Sequence, residues 1–366
     1  MTELSQQPTR EPDPYAPADI AAPGPSEPHQ FTVHDIFIGA DGIRAGWSLL
    51  IFAAIFLGLI SATSFLLHRV EPRNGAPHST AQSQAQPKTP RDAPIEAMPV
   101  FRQEGFSLVC VVLATWLMAK IERRPVVAYG FNPRRSLRNF TAGLAWGVAL
   151  LSLLVVMLRA TGLLDFDARL LFGSSVLRCG AIWLVGFLLV GFFEELFNRG
   201  YLQYTLTRGL SGAYRWLFGA DYANRVGFWI AALIRSFVFG FGHRTNPGES
   251  PLGLLSAGLA GLLFCLSLWR TGSLWWAIGF HASWDWAQSF LYGVADSGLM
   301  VKGHLFATHP VGKPYLSGGL TGPEGSLLLL PVLLAGVAAI LLTLPRTHLG
   351  YLPANAPPPA SALDLP

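Results

Sequence analysis

The sequence predicts an all-α, polytopic transmembrane helical bundle of about eight spans with disordered, proline-rich termini. Three observations carry this. Of the 366 residues 51% are hydrophobic and only 13% charged, far from the balance of a soluble domain. The apolar residues fall in continuous runs close to the roughly 20 residues that cross a hydrocarbon core of about 30 Å as helix, without the alternating pattern of a membrane β-barrel. Proline, finally, gathers at the two ends.

Residues 1–28 hold seven prolines among Ser, Glu and Gln, so a disordered tail is expected over 1–40. The first apolar run, 45–67, lies too far from the start and is too long for a cleaved leader, and reads as an anchor. Residues 68–99 are polar and predict a flexible loop. Seven further runs follow at 100–119, 140–158, 181–202, 226–242, 252–269, 274–292 and 326–344. Arg102 and Glu104 intrude on the first of these, and Arg235 on the run 226–242. Pro357, Pro358 and Pro359 mark a second disordered tail over 346–366. The bundle thus occupies 41–345, and it shows no internal repeat of the transporter kind. Cys110, Cys179 and Cys265 stand singly in apolar surroundings and read as small core hydrophobes.

Six Lys and Arg residues lie between 120 and 138. By the positive-inside rule that loop is cytoplasmic, which with eight spans puts both termini in the cytoplasm of an inner or plasma membrane. The net charge of +4 calls for no nucleic acid.

Against this apolar background three polar segments stand out, because ionisable groups are costly in lipid and are retained for function. The first is Glu194-Glu195-Leu196-Phe197-Asn198-Arg199. Glu195 and Arg199, at i and i+4, can pair on one helix face, and Glu194, turned away by about 100°, is left free. An unpaired carboxylate in a low-dielectric cavity suits a general base; the alternative is a structural ion-pair cluster. The second, Phe239-Gly240-Phe241-Gly242-His243, sets Phe239 one turn before His243. Its glycines would admit another helix, and His243 taken alone reads equally as a helix-end histidine bonded to a carbonyl. In the third, His281-Ala282-Ser283-Trp284-Asp285, Asp285 can accept from one imidazole nitrogen and leave the other to a cavity. The tryptophans 275, 276, 284 and 286 read as interfacial belt or core.

EExxxR, then FxxxH, then HxxxN or HxxxD on separate helices resembles the CPBP family of intramembrane proteases, which includes type II CAAX prenyl endopeptidases and Abi-like, bacteriocin-processing relatives. The likeness runs from about 184 to 288 within a core of about 140–292, and Ile121-Glu122-Arg123-Arg124-Pro125 and Tyr129-Gly130-Phe131 share its character. The resemblance implies a catalytic glutamate at Glu194, its partner carboxylate at Glu195 and a structural arginine at Arg199. It implies that Phe239 and His243 come from the second motif, and that His281 and Asp285 lie at the oxyanion or metal position. Relatives often have Asn where this chain has Asp285. A charged carboxylate cannot donate to an oxyanion, so Asp285 would be protonated, bind metal, or only orient His281.

The expected function is an intramembrane endopeptidase acting on membrane-embedded or lipidated peptides through an activated water. Glu194 removes the proton, His243 holds the water, His281 stabilises the oxyanion, and Phe239 lies against the substrate. Glu194, His243 and His281 also match the ligand set of some catalytic zinc sites, so metal and metal-free versions both stand, although HExxH is absent. Two alternatives are a transporter with a polar pathway reaching both faces and a catalytically silent scaffold. At about 1.5 Å per residue, Glu194 and His281 fall at one depth, and His243 joins them if Arg235 snorkels at the cytoplasmic boundary.

Overall fold

The computed structural model describes residues 32–39, 41–70 and 94–344. The tail expected over 346–366, all but residues 32–39 of the tail expected over 1–40, and most of the loop expected over 68–99 fall outside them. A helical turn, Val33–Phe37, and a two-residue hairpin between Ile38–Gly39 and Gly42–Ile43 precede the first long helix, so regular structure begins ahead of residue 41.

The principal helices are α1 (Ala45–Val70), α2 (Ala97–Ile121), α3 (Ser136–Ala160), α4 (Ser174–Glu195), α5 (Gln203–Phe218), α6 (Ala220–Gly242), α7 (Pro251–Thr271), α8 (Trp275–Trp286) and α9 (Leu329–Thr343). A π-helical turn, Leu196–Leu202, joins α4 to α5, and another, Ala287–Leu291, extends α8. Among the described residues six segments are long and apolar enough to cross a membrane: Ala45–Phe65, Ala97–Ile121, Ser136–Ala160, Ser174–Arg215, Tyr222–Thr245 and Pro251–Thr271. The chain is an integral membrane protein.

The last two of the eight predicted runs differ. α8 has 12 residues before its π turn and α9 has 15, short of the length a span requires. For α8 the reason is its position. Trp276, Ala277, Ile278, Phe280, Trp284 and Asp285 are all buried, so protein and not lipid surrounds the helix and bilayer thickness does not set its length. Trp276 and Trp284 belong to a core cluster with Leu151, Leu154 and Phe264, which places them in the interior and not in an interfacial belt.

Glycine lets α8 sit this deep. Gly143 and Gly147 on α3 form a small-xxx-small pair, where backbones can touch. A Cβ at 143 would overlap the Trp276 carbonyl, and one at 147 would overlap Ser283 Oγ and lie 2.5 Å from the Phe280 carbonyl. Gly240 on α6 likewise meets the Leu254 carbonyl of α7, whereas Gly242 faces open space, so one of the two glycines expected to admit a helix does so. At its start α7 is capped by Ser250 Oγ, which accepts from the Gly253 amide at 3.1 Å, with Pro251 in the first turn. Ser250 satisfies a donor that a helix start leaves open.

Two features were not foreseen. Leu164–Arg169 and Phe306–Pro310 pair as antiparallel strands, and the apolar–polar alternation of Leu164-Asp165-Phe166-Asp167 was their signal. Three loops at one end of the bundle also interlock: Asn246 Nδ2 donates to the Ser297 carbonyl (3.0 Å), the Gly298 amide to the Thr321 carbonyl (3.0 Å), and Thr321 Oγ1 to the Gly248 carbonyl (3.1 Å).

Gly147→Ala is expected to push α8 off α3 at a cost of about 1–3 kcal/mol, read as a lower melting temperature of the detergent-solubilised protein. An unaltered melting temperature would contradict the close α3–α8 contact.

Candidate active site

The EExxxR segment ends α4 and enters the π turn. Arg199 Nη1 donates to Glu195 Oε1 at 2.8 Å, with the side chains 1% and 0% exposed. The i, i+4 pair expected from the sequence is therefore present, fully enclosed. The guanidinium lies 4.1 Å from the ring centre of Phe239 and 5.3 Å from that of Phe264, so two aromatic faces from α6 and α7 replace water around the cation.

The same carboxylate oxygen accepts a second bond, from His281 Nδ1 at 2.9 Å. An ionised carboxylate only accepts, so Nδ1 carries the proton and Nε2 points the other way. Nε2 lies 3.5 Å from Asp285 Oδ2 and 3.9 Å from Glu194 Oε2. Glu195 thus makes the short bond to His281, while Asp285, expected to be protonated, to bind metal or only to orient His281, stands at a longer distance from the opposite nitrogen.

Glu194 is turned out of this lock. Its side chain is 25% exposed, and Oε2 has no hydrogen-bond partner among the described residues. One turn on, Asn198 Nδ2 donates to the Glu194 carbonyl at 3.0 Å while its Oδ1 accepts from Arg235. Arg235 therefore faces the interior and does not snorkel to a boundary, which corrects the depth argument built on it. His243 Nδ1 donates to the Phe239 carbonyl at 2.8 Å. The helix-end bond is thus real, yet the ring lines the same cavity as Glu194 and His281.

These residues are brought together from four helices. Residues 176–287 match the family model of Rce1-like type II CAAX prenyl endopeptidases. The Rce1-like segment starts in the first turn of α4, ends just past α8 and contains all three motifs, which supports intramembrane endopeptidase activity. Comparison with curated proteins and with solved structures gave no match.

The cavity encloses about 840 Å³. Glu194, His243, His281, Asp285 and Phe239 all line it, with Val190, Phe193, Phe197 and Val238 as apolar wall. Glu195 and Arg199 lie behind that wall. Phe239, expected against the substrate, is 8% exposed, lies under the Arg199 guanidinium and meets the two histidines edge to face, at 5.0 and 6.1 Å between ring centres. Three further lining carboxylates escaped the sequence reading: Glu104, taken as an intrusion in a span, and Asp296 and Glu324, which belong to no motif. All three lie outside the Rce1-like segment. Burial, and then the Asp285 and Glu324 charges, hold the Asp296 carboxyl well above the ordinary carboxylate range.

For the zinc set Glu194, His243 and His281, both histidines commit Nδ1 to protein acceptors and keep Nε2 available, as metal-bound histidines also do, yet among the described residues no three His, Cys, Asp or Glu side chains are grouped to hold a metal ion. Polar groups do continue beyond the cavity toward the arginine-rich end, where Glu122 accepts from Arg208 (3.0 Å), Tyr129 (3.1 Å) and Tyr201 (3.4 Å). That cluster is closed upon itself and lines no part of the cavity, unlike a pathway to both faces.

Arg199→Ala is expected to destabilise the protein by about 3–5 kcal/mol, the effect of leaving a buried charge unpaired, with a correspondingly lower melting temperature. If the melting temperature is unchanged, the Glu195–Arg199 pair is not a structural element.

Proposed function

We propose that the cavity hydrolyses peptide bonds of membrane-associated or lipidated substrates with a water activated by Glu194. One observation carries this reading: two adjacent glutamates occupy opposed environments, Glu195 neutralised by Arg199 at 2.8 Å and Glu194 without a hydrogen bond to Oε2, with only His281 Nε2 at 3.9 Å. Titratable neighbours held in contrasting surroundings are how one site assigns its acid and base roles.

Glu194 takes a proton from water as the oxygen adds to the substrate carbonyl. His243, with Nδ1 committed to a backbone carbonyl, presents Nε2 as an acceptor for the same water. His281, fixed by Glu195 through Nδ1, donates from Nε2 to the oxyanion, a contribution of about 2.7–4 kcal/mol for such a donor. As the tetrahedral intermediate collapses the C–N bond breaks, and the proton held by Glu194 passes to the leaving amine. Asp285, beside His281 Nε2, keeps a proton on that nitrogen and needs no donor role of its own. Phe239 acts as the wall that positions both histidines.

Orientation follows the charge distribution: the arginine-rich end bearing residues 120–138 faces the cytoplasm, with both termini on that side. Glu194 then lies toward the cytoplasmic end of the cavity.

Glu194→Gln should lower cleavage of a membrane-peptide library by about 10²–10⁴, as expected for loss of a general base, with an unchanged melting temperature. Chelator should leave wild-type cleavage unaltered. Equal product from the variant and the wild type would refute the role of Glu194, and chelator-sensitive cleavage would replace the metal-free route with a metal-dependent one.

A further inference from the structure

Hydrolysis as proposed leaves part of the cavity's charge unused. Asp296 and Glu324, on the loops that close the far end, face the same space as Glu194. Glu324 accepts from Trp284 Nε1 (3.0 Å), Ser297 Oγ (3.0 Å) and the Ser297 amide (3.2 Å). Asp296 accepts from Ser289 Oγ at 3.2 Å. Every one of these donors is neutral, so both carboxylates are held in place while neither is neutralised by an ion pair among the described residues.

The sum of charges is one-sided. The lining contains five carboxylates, Glu104, Glu194, Asp285, Asp296 and Glu324, against Arg235, His243 and His281. Arg235 is already bonded to Asn198. A low-dielectric cleft of one sign concentrates ions of the other.

A second, independent feature also awaits a partner. Ser256, on the first turns of α7, is 2% exposed and lines the cavity, and its Oγ has no hydrogen-bond partner among the described residues. A buried hydroxyl left open costs free energy that a ligand donor would restore. Burial first, and then the Asp285 and Glu324 charges, raise the Asp296 carboxyl, and a cation placed between the acids would relieve the second of these.

We infer that the far end of the cavity is a subsite for a basic side chain, lysine or arginine, of the peptide substrate, with Asp296 and Glu324 receiving the charge and Ser256 the remaining hydrogen bond. A tethered organic cation suits this site better than a metal ion: the carboxylate oxygens already take protein donors, and no three-ligand group is assembled among the described residues. Asp285 lies 3.5 Å from His281 Nε2 and its charge also acts on Asp296, so the basic residue would lie close in sequence to the bond cleaved. The inference deepens the proteolytic reading above and rests on it for its kinetic test alone.

The test uses membrane peptides in which one lysine is moved along the sequence, each compared with its norleucine counterpart, on the full-length protein. At one position lysine should raise kcat/KM about tenfold over norleucine, chiefly through KM, as a charge pair in a partly desolvated site does. Asp296→Asn and Glu324→Gln should bring that ratio toward one, and Asp296→Lys should invert it in favour of a glutamate peptide. Absence of a preferred position, or a preference that survives both neutral substitutions, would overturn the inference. Binding of the same peptides to Glu194→Gln, followed by fluorescence anisotropy, separates the two readings. Tighter lysine binding there with no cleavage by the wild type would sink only the hydrolysis, and equal affinities would sink the subsite.

Discussion

The site depends on one carboxylate oxygen. Glu195 Oε1 accepts from Arg199 on its own helix and from His281 on α8, and no other contact joins the first and third motifs so directly. Burying a carboxylate with no exposed surface is costly unless a counter-charge and donors go with it. Arg199 supplies the charge, Phe239 and Phe264 surround the guanidinium, and His281 gives the second donor. The consequence for chemistry is indirect. Because Glu195 is fully occupied, the adjacent Glu194, rotated on the same helix, is the carboxylate left to face the cavity.

That arrangement requires α8 to stand at a definite height and distance from α4. Its position comes from the other side, where Gly143 and Gly147 bring the α3 backbone onto the Trp276, Phe280 and Ser283 region. Close helix contact of this kind fixes a register because any side chain at the glycines would separate the backbones. Both α4 and α8 also pass into π-helical turns close after their acidic residues, Leu196–Leu202 after Glu195 and Ala287–Leu291 two residues after Asp285. Such turns recur at functional sites. Here the first turns Arg199, Asn198 and Tyr201 toward three different partners, and the second carries the chain into the loop that bears Asp296.

Cavity and rim thus have different origins. The motif helices form the end containing Glu194 and the histidines, which coincides with the Rce1-like segment. The far end is made by loops whose mutual hydrogen bonds, among Asn246, Ser297, Gly298 and Thr321, hold Asp296 and Glu324 inward. The part of the cavity inside the family match and the part outside it are therefore built by separate elements.

The sequence alone determined the membrane-spanning helical class, since long apolar runs leave few other solutions, and it singled out Glu194, Glu195, Arg199, Phe239, His243, His281 and Asp285, because polar residues at helical spacing are conspicuous among apolar ones. Pairing within a helix, as for Glu195 and Arg199, follows from 3.6-residue periodicity and was legible. Contacts between helices were not. That Glu195 and not Asp285 holds His281, that Arg235 turns inward to Asn198, and that α8 is a short interior helix all depend on how helices rotate and slide against one another, which glycine contacts and burial decide. Asp296 and Glu324 were invisible for the same reason. A carboxylate in a polar loop carries no periodic signal, and only the tertiary fold brings it to face the cavity.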